Sequence, residues 1–187
     1  MFSPVFSCYN TTMTTHITIG ISACLFGQNT RYDGGHRLEQ GLLDLVAGNV
    51  VLMPLCPEAE CGLGIPREPM QLEGNPENPK LLTMATRQDL TDRMRIWIGQ
   101  RLNRLAGEAV GGLILKARSP SCGMRVPVHG PWTGENAYSL GLFARACRQR
   151  FPTLPIADEE ELRDPATLAA FLKRAADHAQ NTREDQR

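Results

Sequence analysis

Three short apolar runs, each leading to a cysteine, constrain the fold of this chain more than any other feature. The runs read ITIGISA, VVLMPL and GLILKA, and the cysteines that follow them are Cys24, Cys56 and Cys122. Apolar runs of this length, bounded by turn residues, are typical of buried strands. Apolar residues at helical spacing lie between the runs, so strands and helices are predicted to alternate.

The helical segments and the connections complete this pattern. The predicted helices cover 38–47, 89–107, 142–150 and a segment after Asp164-Pro165, a pair that suits the N-cap and first helical positions. The segment 70–84 predicts a small hairpin beside the main sheet, and 127–141 predicts a turn-rich connection. Alternating strands and helices predict an α/β fold with a parallel sheet flanked by helices, a Rossmann-like three-layer arrangement.

This topology predicts that the three cysteines meet, because the carboxyl ends of parallel strands share one edge and commonly form a ligand crevice. Their spacing lacks the paired C-x-x-C of structural zinc sites and the compact run of bacterial ferredoxins. From the residues alone, packing remains the alternative for each thiol, since cysteine is often a small buried residue. Cys147 fits packing better, whereas C-x-x-x-x-C brings Cys61 near the site.

Composition favours one domain and excludes some partners. Twenty basic residues balance twenty acidic ones, so no overall positive field favours long nucleic acid or an anionic membrane. No apolar stretch is long enough to span a membrane, and the first residues lack the features of a secretory signal, so a cytoplasmic location is expected. Residues 1–15 are predicted to be a flexible extension, 16–180 a single domain and 181–187 a tail.

Three segments read ISACLFGQNTRYDGGH, LCPEAECGLGIPREP and RSPSCG. They resemble the thiouracil desulfidases, whose members carry an ISACLLG-x-x-x-RYDGGH start, a CPE segment and a SPSCG loop. The resemblance covers about residues 17–175. Agreement in DLTDRM and FARACRQRFPTLPI is closest to the catalytic domain of larger desulfidases that act on 4-thiouridine in transfer RNA. Two departures are Cys61 and the segment MRVPVHGPWTG after SPSCG.

The resemblance implies a 4Fe-4S cluster held by Cys24, Cys56 and Cys122, with one iron open to the sulfur of the substrate. Glu58 and Ser119 fall on the catalytic positions of the family. The Glu58 carboxylate would deprotonate a water molecule aimed at the thiocarbonyl carbon, its alternative role being a surface carboxylate. Ser119 would hydrogen-bond the pyrimidine edge or relay a proton, its alternative role being a turn beside Pro120.

Basic residues and glycines near these motifs are candidates for substrate contacts. Arg31, Arg67 and Lys116 suit a nucleotide phosphate, although basic residues usually solvate a surface. Gly34 and Gly35 would let backbone N–H groups approach a ligand, although glycine pairs in loops more often form turns.

Together these features predict hydrolytic removal of sulfur, as hydrogen sulfide, from 4-thiouracil, 2-thiouracil or 4-thiouridine monophosphate. A transfer RNA substrate is less favoured, because the chain is neutral overall and stops before the additional C-terminal domain. A sulfur-transfer enzyme is one alternative, but it would need an activating nucleotide, and the sequence has no G-x-x-x-x-G-K-[ST] loop. A redox or iron sensor is another, and it would hold a cluster without requiring Glu58 or Ser119.

Overall fold

The computed structural model describes residues 16–48, 50–130 and 137–185. The strands are β1 Ile17–Ser22, β2 Val50–Leu55, β3 Met70–Glu73, β4 Lys80–Thr83, β5 Val110–Leu115, β6 Val126–His129, β7 Tyr138–Ser139 and β8 Ile156–Asp158. The helices are α1 Gln40–Val46, α2 Pro57–Glu60, α3 Thr91–Gly107, α4 Leu142–Arg150 and α5 Pro165–Asp185. The predicted N-terminal extension, with Cys8, lies outside the described residues.

The main sheet is parallel throughout, with strand order β2-β1-β5-β8. β1 pairs with β2 from Ile17 opposite Val50 to Ser22 opposite Leu55, so the two strands end level with each other. The β5 strand lies on the other side of β1 and is buried along its whole length. The predicted parallel α/β sheet is confirmed.

Helices cover both faces of this sheet, as the three-layer prediction requires. On one face, α1 and α5 pack against Ile19, Ile21 and Ile114. On the other face, α3 and α4 pack around Leu113 and Leu115. Alternate residues of β5 therefore point to opposite cores, which is the period-two pattern of a strand buried on both sides.

Glycines in β5 bring α5 directly against the sheet. A Cβ atom at Gly111 would lie 2.5 Å from the Ala175 carbonyl oxygen, and one at Gly112 would lie 2.9 Å from the Phe171 ring. No side chain fits at either distance, so the GG pair marks a close approach of helix to strand rather than a weak point in the strand.

A second sheet, with order β4-β3-β6-β7, packs against the core that contains α3 and α4. The antiparallel β3-β4 pair confirms the predicted hairpin. The prediction of an irregular connection over 127–141 is wrong at both ends, because β6 and β7 form strands there. Val126 and Val128 are buried and alternate with exposed residues, but the segment is short and Pro127 obscures the strand pattern.

Smaller differences concern helix boundaries. α1 begins at Gln40 rather than 38, and a short helix, α2, forms in the Pro- and Gly-rich segment for which no regular structure was predicted. Pro57 at the first turn of α2 explains this helix, because its fixed φ suits that position. In the described part of the chain, no helix is both long and apolar enough to cross a membrane.

Candidate functional site

Cys24, Cys56 and Cys122 line one cavity of about 430 Å³ at the carboxyl edge of the parallel sheet. Cys24 follows β1 by two residues, Cys56 directly follows β2, and Cys122 lies in the loop after β5. The three strands are neighbours in the order β2-β1-β5. The sequence-based prediction that these cysteines meet there agrees with this arrangement.

The first two cysteines are held in fixed backbone positions. The Ala23 N–H donates to the Leu55 carbonyl at 2.8 Å, which extends the β1-β2 pairing up to the cysteines. The Cys24 carbonyl accepts the Arg37 N–H at 2.8 Å, so the loop folds back over the strand end. Cys56 is the N-cap of α2, and its sulfur accepts the Ala59 N–H at 3.5 Å.

The loop that carries Cys122 is fastened to the start of α4. The Phe143 N–H donates to the Ser121 carbonyl at 2.9 Å, and the Leu142 N–H donates to the Pro120 carbonyl at 3.1 Å. A Cβ atom at Gly141 would lie 2.5 Å from the Ser121 carbonyl carbon. Gly141 therefore allows α4 to satisfy its first N–H groups with this loop, which fixes the backbone of Cys122.

Burial raises the pKa of all three thiols. The pKa of Cys24 rises to about 11 and that of Cys122 rises well above its usual value, chiefly because each sulfur is removed from water. The thiolate of Cys56 repels both of the others and adds to the rise. Lys116 and Arg31 lower the pKa of Cys24 by attraction. Together the thiols suit a cationic group that would bind them as thiolates.

The other described cysteines do not line this cavity. The Cys61 thiol donates to the Glu58 carbonyl at 3.3 Å, at the far end of α2. Cys147 is fully buried inside α4 and belongs to the apolar core, so its interpretation as a packing residue is confirmed.

Glu58 lines the cavity beside Cys56, and its two carboxylate oxygens have different partners. Oε2 accepts two hydrogen bonds from the Arg67 guanidinium, at 2.5 and 3.0 Å. Oε1 accepts the hydroxyls of Ser121 at 3.0 Å and Ser119 at 3.3 Å. The ion pair is largely withdrawn from water, with exposed side-chain fractions of 6% for Arg67 and 13% for Glu58. This network orients the carboxylate within the cavity.

Arg67 joins the first two motif segments. Besides binding Glu58, its guanidinium donates to the Thr30 carbonyl at 2.9 Å and to the Gly64 carbonyl at 3.1 Å. Its own N–H donates to the Tyr32 carbonyl at 2.8 Å. Arg67 therefore positions the catalytic candidate, a role that the sequence did not predict when it suggested a phosphate contact.

Ser119 faces both the carboxylate and the cysteine loop. Its hydroxyl donates to Glu58 and accepts the N–H groups of Ser121 and Cys122, each at 3.2 Å. The catalytic and turn-forming roles considered for Ser119 are thus compatible in one geometry. The preceding residue, Arg118, has a φ of 60°, a value that non-glycine residues rarely adopt.

The remaining substrate-contact candidates lie at or beside the cavity. Arg31 lines it and pairs with Asp33 at 2.9 Å, and this guanidinium lowers the pKa of Asp33 to about 2. Lys116 also lines it. Gly34 and Gly35 do not line it; they form the turn that brings the Asp33 carboxylate back to Arg31, and Gly34 has a φ of 77°.

Two functional candidates escaped the sequence analysis. Ser121 was within a quoted motif but was not considered as a partner of Glu58. Glu159 follows β8, so it stands after a sheet strand as the cysteines do. Its position directly after a strand of the parallel sheet is the sequence feature that could have indicated a place near the cavity. Glu159 is 2% exposed, and its carboxylate pairs with Lys116 and accepts the Ala117 N–H at 2.6 Å.

Fold and cavity define an α/β protein that presents three thiols and one oriented carboxylate at the carboxyl edge of a parallel sheet. The model of the 2-thiouracil desulfurase family matches residues 19–159, a range that includes the three cysteines, Glu58 and Ser119. The chain belongs to that family.

Two relatives extend this result. The uncharacterized protein YbbK of Bacillus subtilis (strain 168) is 28% identical over 149 residues, which cover 77% of this chain and 97% of the relative. The solved structure of a [4Fe-4S]-dependent thiouracil desulfidase, TudS, is 27% identical, with a TM-score of 0.64. That match covers 82% of this chain and 98% of TudS.

Proposed function

We propose that this protein removes sulfur from a thiolated pyrimidine, with a 4Fe-4S cluster held by Cys24, Cys56 and Cys122. The observation that carries the proposal is the single cavity shared by these three thiols and the Glu58 carboxylate. Family membership and the likeness to the [4Fe-4S]-dependent TudS support it.

The donor set fits a cluster better than a single ion. Among the described residues, no three His, Cys, Asp or Glu side chains converge closely enough to hold one metal ion. The ligands of a cluster bind separate irons and need not converge on one point. Three thiolates leave one iron of a cubane without a protein ligand, and this iron supplies Lewis-acid polarisation of the carbon–sulfur bond when the cluster is bound.

Glu58 is the general base of the proposed reaction. Its Oε1 atom accepts only serine hydroxyls, while Arg67 occupies Oε2, so Oε1 is the oxygen that exchanges a hydroxyl for a water molecule. The carboxylate would take a proton from this water as the oxygen attacks the thiocarbonyl carbon. Water and a thiocarbonyl then give a carbonyl and hydrogen sulfide, with no net oxidation or reduction.

Ser119 and Ser121 complete this arrangement. Each hydroxyl can donate to Glu58 before attack and turn toward the substrate as the carboxylate becomes protonated, because a hydroxyl is both donor and acceptor. The fixed backbone bonds of Ser119 limit its movement to rotation of the hydroxyl hydrogen. We therefore assign Ser119 the contact with the pyrimidine edge.

A free thiopyrimidine base is the substrate that the cavity favours. Arg31 and Arg67, two of the suggested phosphate contacts, are already paired with carboxylates, as is Lys116. Arg37 lines the cavity without an ion pair in the described part of the chain and would be the contact for a mononucleotide phosphate. Transfer RNA remains the less favoured substrate.

The test is anaerobic reconstitution with iron and sulfide, followed by hydrogen sulfide assays on 2-thiouracil, 4-thiouracil and 4-thiouridine monophosphate. Glu58→Gln keeps the shape of the side chain and is expected to retain iron while turnover falls about 10²–10⁴-fold. Normal turnover in this variant would overturn the role of Glu58. Cluster-loaded wild-type protein that releases no sulfide from any of the three substrates would overturn the proposed function.

A further inference from the structure

The Lys116–Glu159 pair is a buried ionic group that the proposed mechanism does not use. The Glu159 side chain is 1% exposed and that of Lys116 is 20% exposed. An ion pair at this depth requires further hydrogen bonds to offset the loss of hydration. Glu159 obtains one from the Ala117 N–H, and the Lys116 ammonium donates to the Ala117 carbonyl at 3.2 Å.

One N–H donor of the Lys116 ammonium has no acceptor among the described residues. An ammonium group carries three N–H donors. Two are used, by Glu159 and by the Ala117 carbonyl, and the described residues provide no acceptor for the third. Because Lys116 lines the cavity, a ligand bound there is the available acceptor.

The position of the ammonium relates it to sulfur rather than to the water-activating carboxylate. Lys116 lines the cavity together with Cys24, Cys56 and Cys122. Arg67, by contrast, is bound to Glu58. The ammonium of Lys116 is therefore a cation of the cavity that the carboxylate of Glu58 does not occupy.

We propose that Lys116 is the general acid of the reaction and that it protonates the sulfur leaving the pyrimidine ring. This inference rests on the proposed desulfidation. Glu58 takes one proton of the water as its oxygen attacks carbon, and the thiocarbonyl π pair moves onto sulfur, which Lys116 protonates. The carbon–sulfur bond then breaks with its electron pair on sulfur, while the hydroxyl on carbon becomes the carbonyl and releases its proton to the departing hydrosulfide, giving hydrogen sulfide. The proton on Glu58 returns through solvent to Lys116, so the two protons of water account for both protons of hydrogen sulfide.

Glu159 acts on this step as a positioning residue. Its carboxylate fixes the position of the ammonium through a charge-assisted hydrogen bond. Its own position is fixed by the Ala117 N–H, directly after β5. The Lys116–Glu159 pair is therefore anchored to the backbone at the end of β5, and this anchor holds the third N–H of the ammonium at the cavity.

The test avoids a buried unpaired charge. Lys116→Met alone would leave Glu159 charged in the interior, a change that strongly destabilises proteins. The double variant Lys116→Met with Glu159→Gln removes both charges and is expected to fold and to bind iron as the wild type does. Its turnover of 4-thiouracil is expected to fall about 10²-fold or more, with KM changed only a few-fold. The matched control is Arg163→Met with Glu39→Gln, an exposed pair at 3.1 Å outside the cavity.

Two further measurements separate proton transfer from structural support. Lys116→Arg keeps the positive charge but replaces the ammonium with a much weaker acid, so iron binding is retained and turnover falls at least about 10-fold. A 4-selenouracil substrate has a leaving group that needs protonation less, because hydrogen selenide is a stronger acid than hydrogen sulfide. The loss caused by the double variant is therefore expected to be smaller for the selenium substrate.

The outcomes are distinct. If the wild type releases sulfide and the double variant is fully active, the role of Lys116 is overturned and the proposed function is not. If the double variant loses turnover equally for the sulfur and the selenium substrate, the role of Lys116 as an acid is also overturned, because an equal loss indicates that Lys116 supports the structure of the cavity and does not donate a proton. Absence of sulfide release from the wild type overturns the proposed function, and the role of Lys116 with it.

Discussion

Cys122 and Cys147 are both buried cysteines of one apolar core, at 5% and 0% exposure, yet the charged groups near them differ. The thiolate of Cys122 would feel the charges of Cys56, Glu58 and Cys24. Cys147 lies among apolar side chains, and Arg101 is its one charged influence among the described residues. Depth of burial therefore does not distinguish a proposed ligand from a packing residue. The two cysteines are distinguished by the charged groups around each sulfur.

The largest expected difference between them is in iron binding. Cys122→Ala removes a proposed ligand, so iron content after reconstitution should fall to background and sulfide release should fall more than about 100-fold. Cys147→Ala should bind iron normally, because it changes only the core. Equal iron content in the two variants, measured by colorimetric iron analysis, would contradict the assignment.

A smaller effect is expected from the support around the cavity. Arg67→Met removes the ionic partner of Glu58 and is expected to lower turnover about 10–100-fold and stability by about 3 kcal/mol, because it leaves a carboxylate without its ionic partner in a site that is largely withdrawn from water. The control is Arg93→Met, whose guanidinium donates to the Cys61 carbonyl at 3.0 Å on an exposed surface. Adding Glu58→Gln to Arg67→Met should restore stability but not turnover. Denaturant unfolding and sulfide assays on these three variants and the wild type decide this.

Replacement of Cys147 is expected to change the free energy of unfolding by an amount that depends on pH. Burial raises the pKa of its thiol from 9.0 to about 12. The unfolded thiol ionises first, so the contribution of the buried thiol to stability is complete below pH 9 and is lost as pH rises toward 12. The difference in unfolding free energy between wild type and Cys147→Ala should therefore narrow above pH 9, by at most about 1.4 kcal/mol per pH unit. A constant difference would contradict the raised pKa.

Cys61 should show the smallest effect. Its thiol hydrogen-bonds a backbone carbonyl and does not line the cavity. Cys61→Ser keeps a donor for that bond, so iron content and turnover should stay within about two-fold of wild type, since surface changes away from a site have small effects. Loss of iron in this variant would make Cys61 a ligand.

The sequence was sufficient to predict the parallel sheet, because β1, β2 and β5 read as continuous apolar runs, and β5 is buried along its whole length. Convergence of Cys24, Cys56 and Cys122 followed from that topology alone. Strands β6 and β7 could not be predicted in the same way, because they are short and one contains a proline. The pairing of β6 with β3 of the hairpin, and of β7 with β6, is a tertiary contact that leaves little local pattern.

The partners within the site were less predictable than its members. Glu58 and Ser119 were identified by resemblance, but the bond from Ser121 to Glu58 joins residues that are 63 positions apart in the chain. Lys116 and Glu159 are likewise separated by 43 positions. Spacing in sequence carries no signal for such pairs, since they depend on how two loops meet above the sheet.

The order of the strands has a consequence for assembly. Cys24, Cys56 and Cys122 reach one cavity only after β2, β1 and β5 have paired, so an unfolded chain offers no preformed site. A group bonded to all three thiols would close two long loops of the chain at once, as a branched cross-link does. The proposed cluster would therefore also cross-link the three loops. In protein that lacks the cluster, local unfolding should begin at the carboxyl edge of the sheet.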